Sequence, residues 1–146
     1  MLVSAQLALV PWPTEIELKD GTFPLKQVSV IVGAGAEGWG RMLRSDLDAS
    51  GASARNLDEI TRSVRFVRDT AQGPEGYAID MGKDAVTITA ATREGALHAT
   101  QTLRQLATKD NAGNWYWPMV HIQDAPAFAW RGTMLDVCRH FYPVDF

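Results

Sequence analysis

Two arginines flank a mostly apolar run near the C-terminal end of the sequence, and their side chains are the groups best suited to bind a ligand. Arg131 precedes Gly132–Cys138, and Arg139 follows it. Such a run is typical of a strand covered on both faces, as in a parallel sheet or barrel. Barrel strands present ligand-binding groups at their C-terminal ends, so Arg139 is the candidate binding residue and Arg131 the structural one. A guanidinium holds several donors in one plane and suits two adjacent hydroxyls.

Carboxylates that could form an acid–base pair are scarce around this run. Asp136 lies within it and is interpreted as an internal hydrogen-bond or ion-pair partner. The adjacent acids Asp58 and Glu59 occur much earlier, in a stretch predicted to be a loop or a helix end, where a solvated face explains them. Neither Asp136 nor the Asp58–Glu59 pair is therefore predicted to be catalytic.

A glycine-rich loop indicates a different function, nucleotide binding. Gly33, Gly35 and Gly38 form a G-x-G-x-x-G motif between an apolar β-type run and a helical pattern. In that order, a dinucleotide site presents backbone N–H groups to a pyrophosphate. The following strands are predicted to be antiparallel hairpins rather than strand–helix–strand units, and Asp69 only loosely matches the expected acid. The loop is therefore interpreted as a strand-to-helix connection, with nucleotide binding as the weaker alternative.

Other kinds of chemistry lack the residues that they need. The three histidines have no partners at metal-ligand spacing, and no H-E-x-x-H motif occurs, so neither a metal nor a cofactor is predicted. There is also no G-x-S-x-G nucleophile elbow. Trp115, Tyr116 and Trp117 could stack on sugar rings, although aromatic residues more often pack in a core. A stand-alone carbohydrate-binding or scaffold module stays open as an alternative function.

The elements that carry these residues alternate between strand and helix patterns. Strands are predicted over 16–19, 23–25, 28–32, 63–68, 77–81, 86–90 and 119–122. Helices are predicted over about 39–50 and 93–107, the second capped by Thr92. Turns are expected at Asp20-Gly21 and at the hairpin Gly82-Lys83, and the strands after the first helix are predicted to be antiparallel. The order predicts an α+β fold, a largely antiparallel sheet with two helices packed on one face.

Length, composition and charge limit the class of protein. A chain of 146 residues has room for one ordinary domain, and 46% hydrophobic with 21% charged residues is typical of a globular protein. The net charge of −3 comes without a basic patch, so no nucleic-acid partner is predicted. Leu2–Val10 lacks signal-peptide features, and no run reaches the ~18 apolar residues of a membrane helix, so no membrane partner is predicted. The single Cys138 excludes an intrachain disulfide and leaves the compartment open.

The run Trp130–Phe141, WRGTMLDVCRHF, resembles the entry into the catalytic barrel of the β-N-acetylhexosaminidases of glycoside hydrolase family 20. Earlier stretches resemble the small α/β domain that precedes that barrel: GYAI at 76–79, AVTI at 85–88, EGALHATQTLRQL at 94–106, and Pro118–Pro126. The resemblance implies that residues 1–124 form the small domain, with a boundary near Asp124. Residues 125–146 would form a linker and the first strand of a truncated (β/α)8 barrel.

The resemblance also implies an activity that this chain cannot complete alone. The family's enzymes release terminal N-acetylhexosamine residues from glycans with the substrate's own 2-acetamido oxygen as nucleophile, a retaining route that departs from the two-carboxylate scheme. The arginine matching Arg139 holds hydroxyls of the sugar, whereas the Asp–Glu pair that orients the acetamido group and protonates the leaving oxygen belongs to a later strand. The chain is therefore predicted to be the N-terminal portion of such an enzyme and inactive by itself.

Two further expectations concern the protein as a whole. An unfinished barrel strand leaves apolar side chains and a strand edge uncovered, which predicts self-association. The full-length form is expected to be soluble, and a periplasmic or secreted location is compatible with the sequence if a signal was removed.

Overall fold

The computed structural model describes residues 7–54, 56–134 and 136, except for the side chain of Leu57. The order of the elements is β1 (Glu15–Pro24), β2 (Val28–Val32), α1 (Arg41–Ala49), β3 (Arg62–Arg68), β4 (Tyr77–Met81), β5 (Ala85–Ala90), α2 (Arg93–Leu106), β6 (Thr108–Lys109) and β7 (Trp115–Asp124). Short 3-10 turns cover Leu57–Glu59 and Thr70–Gln72. The predicted α+β class is confirmed.

The seven described strands form one mixed sheet in the order β1-β7-β4-β5-β3-β2, with β6 beside β7. β4 is antiparallel to β5 and β7, and β1 and β6 are antiparallel to β7. The strand β3, however, runs parallel to both of its neighbours, β2 and β5. The prediction of antiparallel pairing for 63–68 is therefore wrong. Two-residue alternation does not distinguish strand directions, and the direction of β3 follows from its connection to β2 through α1, since parallel neighbours need a crossover.

Both helices pack on the same face of the sheet, as predicted. Gly40, the N-cap of α1, lies against Val30, and Gly95 in α2 lies against Ala90. Val30 and Ala90 lie on the same face of the sheet. Residues paired across neighbouring strands point to the same face, and so do residues an even number apart along one strand; these two relations connect Val30 to Ala90 through β3 and β5. The core lies between the sheet and the helices. Its largest fully buried side chains include Trp117, Phe23, Phe66, Leu43, Ile79, Met81, Ile88, Leu103 and Ile122.

Helix α2 begins at the predicted N-cap, since the Thr92 hydroxyl accepts the N–H of Gly95 at 3.4 Å. Its buried residues are Gly95, Ala96, Ala99, Thr100, Thr102, Leu103 and Leu106. Leu97 of the same helix, although apolar, is 41% exposed. Neither of the two described helices is long and apolar enough to cross a membrane.

Two turns differ from the sequence prediction. Asp20-Gly21 lies inside the single strand β1, where the register against β7 shifts and Gly21 has a φ of +107°. Extra residues on one strand of a pair form a β-bulge, so the strand bends there instead of reversing. The hairpin between β4 and β5 is present, but the bond from the Gly82 N–H to the Ala85 carbonyl at 2.8 Å places the turn one residue later than expected.

The C-terminal segment does not form the predicted strand over Arg131–Met134. A strand requires a hydrogen-bonded neighbour, and no described strand pairs with this segment. Residue 135 and residues 137–146, which include Cys138, lie outside the described residues, so the barrel start is not shown. Strand β7 ends at Asp124, and the division of the chain near this residue stays a prediction.

Candidate functional site

The candidate ligand residue Arg139 lies outside the described residues, as does His140. Its counterpart Arg131 is described, and both ends of its guanidinium have partners. Nη2 lies 2.6 Å from Glu75 Oε1, and Nη1 donates to the carbonyl oxygen of Phe128. The contact with Glu75 joins the segment after β7 to the domain, and the structural role of Arg131 stays a prediction.

Glu75 is the residue of this site that the sequence did not reveal. It lies in the loop before β4, and its Oε1 is also 3.4 Å from Nε2 of His98 on α2. The Arg131 guanidinium, with a smaller contribution from His98, holds the pKa of the Glu75 carboxyl below its usual value. The carboxylate therefore joins three parts of the chain: its own loop, helix α2 and the C-terminal segment.

The loop that carries Glu75 is closely packed against the start of α2. A Cβ on Gly95 would clash with the carbonyl oxygen of Gly76, and a Cβ on Gly76 would clash with that of Gln72. The hydroxyl of Thr92 donates to the carbonyl oxygen of Pro74. The backbone on both sides of Glu75 is thus held, at Pro74 by a hydrogen bond and at Gly76 by close contacts that a Cβ would prevent.

A cleft of about 450 Å³ lies beside this site, between α2 and two extended segments of the chain, 9–14 and 124–128. Polar groups in its walls bind each other. Gln105 on α2 accepts the N–H of Val10 at 2.8 Å and donates to the carbonyl oxygen of Val10 at 3.2 Å. Asp124 accepts the backbone N–H of Thr14 at 3.0 Å and its hydroxyl at 2.9 Å. These bonds fix the N-terminal segment on the domain.

Tyr77 extends the polar network beneath the cleft. Its hydroxyl lies 2.6 Å from the Thr102 hydroxyl and donates to Asp124 Oδ2 at 3.2 Å. Burial, with a smaller contribution from the negative charge of Asp124, raises the pKa of Tyr77 to about 12. The phenol is therefore neutral at physiological pH and acts as a donor that joins β4, α2 and the end of β7.

The glycine-rich loop connects β2 to α1, as predicted, although the parallel pairing of β2 and β3 removes one of the reasons against a nucleotide site. A carboxylate of the loop itself binds the backbone amide that a phosphate would need. The N–H of Gly35 lies 3.0 Å from Glu37 Oε1, and hydrogen bonds from the backbone of Glu37 and Gly35 lower the pKa of that carboxyl. A negative charge there opposes a phosphate, so nucleotide binding stays the weaker alternative.

The three consecutive aromatic residues do not share one exposed surface. Trp117 is buried and stacks on Phe23, with ring centroids 5.7 Å apart. Trp115 lies at the surface, where Lys109 Nζ is 4.7 Å from its ring centroid. Tyr116 is half-buried. Core packing thus accounts for Trp117, whereas the exposed ring of Trp115 contacts Lys109.

The acids Asp80 and Glu59 and the histidine His121 contact polar side chains outside the cleft. His121 Nδ1 and Lys19 Nζ lie 3.5 Å and 2.5 Å from the same oxygen of Asp80. Glu59 accepts a hydrogen bond from the Asn56 amide. No group of three His, Cys, Asp or Glu residues that could hold a metal ion occurs in the part of the chain that the structure describes.

The sequence matches the family described as glycosyl hydrolase family 20, domain 2, over residues 6–125. The chain belongs to this family. Its family 20 relatives include the β-hexosaminidase of Vibrio furnissii, 32% identical over 145 residues, a match that covers 97% of this chain and 23% of the relative. The β-hexosaminidase of Porphyromonas gingivalis is 31% identical over 151 residues, which covers 94% of this chain and 19% of the relative. The resemblance stated from the C-terminal run and the earlier strands is confirmed.

Solved family 20 structures share the fold. The exo-β-N-acetylglucosaminidase of Vibrio harveyi, in complex with N-acetylglucosamine, has a TM-score of 0.77 and 25% identity, with 92% of this chain and 21% of that chain covered. The chitobiase of Flavobacterium johnsoniae has a TM-score of 0.73 and 31% identity, with 96% and 24% covered. The chain thus spans about a fifth to a quarter of the length of its family 20 relatives.

Proposed function

We propose that this chain is the N-terminal portion of a β-N-acetylhexosaminidase that releases terminal N-acetylhexosamine residues from glycans or chitin-type oligosaccharides. The observation that carries the proposal is the family 20 domain 2 match over residues 6–125. The β-hexosaminidase relatives, similar over 94–97% of the chain, support it. The α+β domain then has the role of carrying and placing the catalytic part that comes after it.

Arg139 is the residue of this chain that binds substrate in the proposal. Its guanidinium would donate to two adjacent hydroxyls of the terminal sugar, since the donors lie in one plane at fixed spacing. The acetamido oxygen of the substrate acts as the nucleophile, and the Asp–Glu pair of a later strand orients it and protonates the leaving oxygen. The chain alone therefore lacks the general acid, whose contribution is typically 10²–10⁴-fold.

An aryl N-acetylglucosaminide assay tests the proposal on two proteins. The purified 146-residue chain is expected to show no turnover, and the longer protein that contains it is expected to be active. Turnover that copurifies with the short chain and responds to its mutation would contradict the assignment. Absence of activity in the longer protein on any N-acetylhexosaminide would do the same.

The variant Arg139→Lys in the longer protein tests the binding residue. It keeps the charge but loses the planar donors, and a charged hydrogen bond contributes about 1.5–3 kcal/mol, so kcat/KM is expected to fall at least about tenfold with little change in Tm. Arg131→Lys is the matched control, since it retains the charge that faces Glu75 and is expected to lower kcat/KM less than Arg139→Lys does. Full activity in Arg139→Lys, with loss of activity but not of folding in Arg131→Lys, would move the site to Arg131.

A further inference from the structure

The segment after β7 is not held by burial of its large side chains. Phe128, Trp130 and Met134 are 74%, 89% and 93% exposed. A polar contact joins it to the domain, because Arg131 binds the Glu75 carboxylate, while a second bond to the carbonyl oxygen of Phe128 orients the guanidinium within the segment. The Arg131–Glu75 pair is therefore a polar contact that can set the direction in which the chain leaves the domain.

Glu75 is a rigid acceptor for that guanidinium. The glycine contacts between the loop and α2 hold the backbone next to it, and His98 on α2 lies beside the oxygen that binds Arg131. A carboxylate held in this way fixes the position of its partner with little rearrangement of its own. The guanidinium plane, with acceptors on two sides, fixes orientation as well as position.

The contribution of this pair to stability is expected to be small. Both side chains are about a third or more exposed, at 39% for Arg131 and 35% for Glu75, and exposed ion pairs contribute little to folding because solvent screens them. Catalysis is more sensitive to placement, since a displacement of about 1 Å can lower a rate by about 10²-fold. A contact that contributes little to folding can thus matter for the placement of the catalytic part of the longer protein.

We propose that Glu75 is a positioning residue for the active site downstream: it orients Arg131 so that the chain enters the catalytic part in a fixed direction, with the candidate substrate residue Arg139 eight residues further along. This role rests on the proposed hexosaminidase function. Glu75 itself touches no substrate.

A charge swap in the longer protein tests the role. Glu75→Arg and Arg131→Glu are each expected to lower kcat/KM by about three- to tenfold with little change in Tm, and the double variant is expected to recover at least half of the loss. Lys19→Glu and Asp80→Arg form the matched control. That pair is also partly exposed, lies 2.5 Å apart on β1 and β4, and is expected to leave kcat/KM unchanged.

The outcomes separate the inference from the function on which it rests. An active enzyme whose kcat/KM does not respond to either single change overturns the positioning role and leaves the proposed function intact. Parallel losses of Tm and kcat/KM, without recovery in the swap, also overturn it, because they show a contact that is only structural. An inactive longer protein contradicts the proposed function. Whether Glu75 anchors the segment after β7 is then tested on the 146-residue chain.

Chymotrypsin provides that second measurement on the chain itself. Cleavage after Phe128 and Trp130 is expected to be at least about threefold faster in Glu75→Gln, because the released segment can adopt the extended backbone that a protease needs. Asp80→Asn is the control and is expected to match the unmodified chain. Equal cleavage rates in all three proteins would show that Glu75 does not anchor the segment.

Discussion

Single hydroxyl and carboxylate groups connect distant parts of this fold. Tyr77 is the clearest case, because its buried hydroxyl contacts Thr102 on α2 and Asp124 at the end of β7. The bonds need a protonated phenol to donate to the carboxylate. Besides the cost of burying a phenolate, ionisation of Tyr77 would place two negative charges within hydrogen-bond distance, and both effects raise its pKa.

This raised pKa predicts a loss of stability at alkaline pH. The folded pKa of about 12 exceeds the ~10 of an unfolded tyrosine, so the stabilising contribution is complete below about pH 10 and declines as the pH approaches 12. Tyr77→Phe is expected to lower the free energy of unfolding by about 0.5–1.5 kcal/mol at pH 8. Between about pH 10 and 11.5, the free energy of unfolding of the Tyr77→Phe protein should then decline less steeply than that of the unmodified chain, as measured by urea denaturation. Parallel declines in the two proteins would refute the coupling.

Residue roles are predictable from the sequence where the partner is near in the chain. Thr92 is correctly predicted as an N-cap because its partner Gly95 is three residues away. Glu75 escapes prediction because Arg131 lies 56 residues further along, and no local pattern marks a carboxylate that a distant arginine will bind. The distinction between Arg131 and Arg139 comes from the family resemblance and from the direction of a predicted strand, and it stays a prediction.

Two energetic effects oppose each other at Gly95, where α2 contacts the loop before β4. Alanine is favoured over glycine by ~1 kcal/mol within a helix. A Cβ at this position, however, would clash with the backbone of Gly76, which has little room to move. Overpacking of this kind typically destabilises by ~1–3 kcal/mol, so the clash should prevail.

Gly95→Ala is therefore expected to lower the denaturation midpoint of the chain, despite the better helix propensity of alanine. The control is Gly132→Ala, since a Cβ there has no atom within 4 Å and should leave the midpoint unchanged. Guanidinium denaturation followed by circular dichroism measures both variants. A Gly95→Ala protein that is more stable than the unmodified chain would show that the loop is not held closely against α2.

Strand and helix positions are largely predictable, whereas strand direction is not. The alternation of Val64 and Phe66 with polar neighbours marks β3 as a strand with one buried face, but the same alternation fits either direction. The parallel pairing depends on the path of the chain through α1. The Asp-Gly pair in β1 is likewise typical of both a turn and a bulge. Only the pairing with β7 shows that it forms a bulge here.

The exposed segment after β7 is expected to affect the behaviour of the isolated chain in solution. Phe128, Trp130 and Met134 are largely exposed, and burial of one such side chain contributes about 1.5–3 kcal/mol. Self-association that increases with concentration is therefore expected in light scattering, and deletion of residues 125–146 should reduce it. A monodisperse monomer at high concentration would contradict this expectation.

At the scale of the whole molecule, the family is predictable because the run 130–141 is specific in sequence. The same run is the part whose structure stays a prediction, since residue 135 and residues 137–141 lie outside the described residues and Arg131–Met134 is not a strand. A segment can resemble a family in sequence and still lack the expected strand conformation, because a strand forms only beside a neighbouring strand that pairs with it.

The pairing of the first long strand with the last one determines when the domain can fold during synthesis. β1 is antiparallel to β7, Phe23 stacks on Trp117, and Thr14 bonds to Asp124, 110 residues away. Because domains fold as units and contacts this distant form slowly, β1 must leave the ribosome and wait for nearly the whole domain to emerge. A nascent chain that stops before β7 would leave β1 without its partner strand, one side of β4 unpaired and Phe23 uncovered. Chaperones and proteases would therefore meet this domain mainly as a chain that has not yet received its last strand.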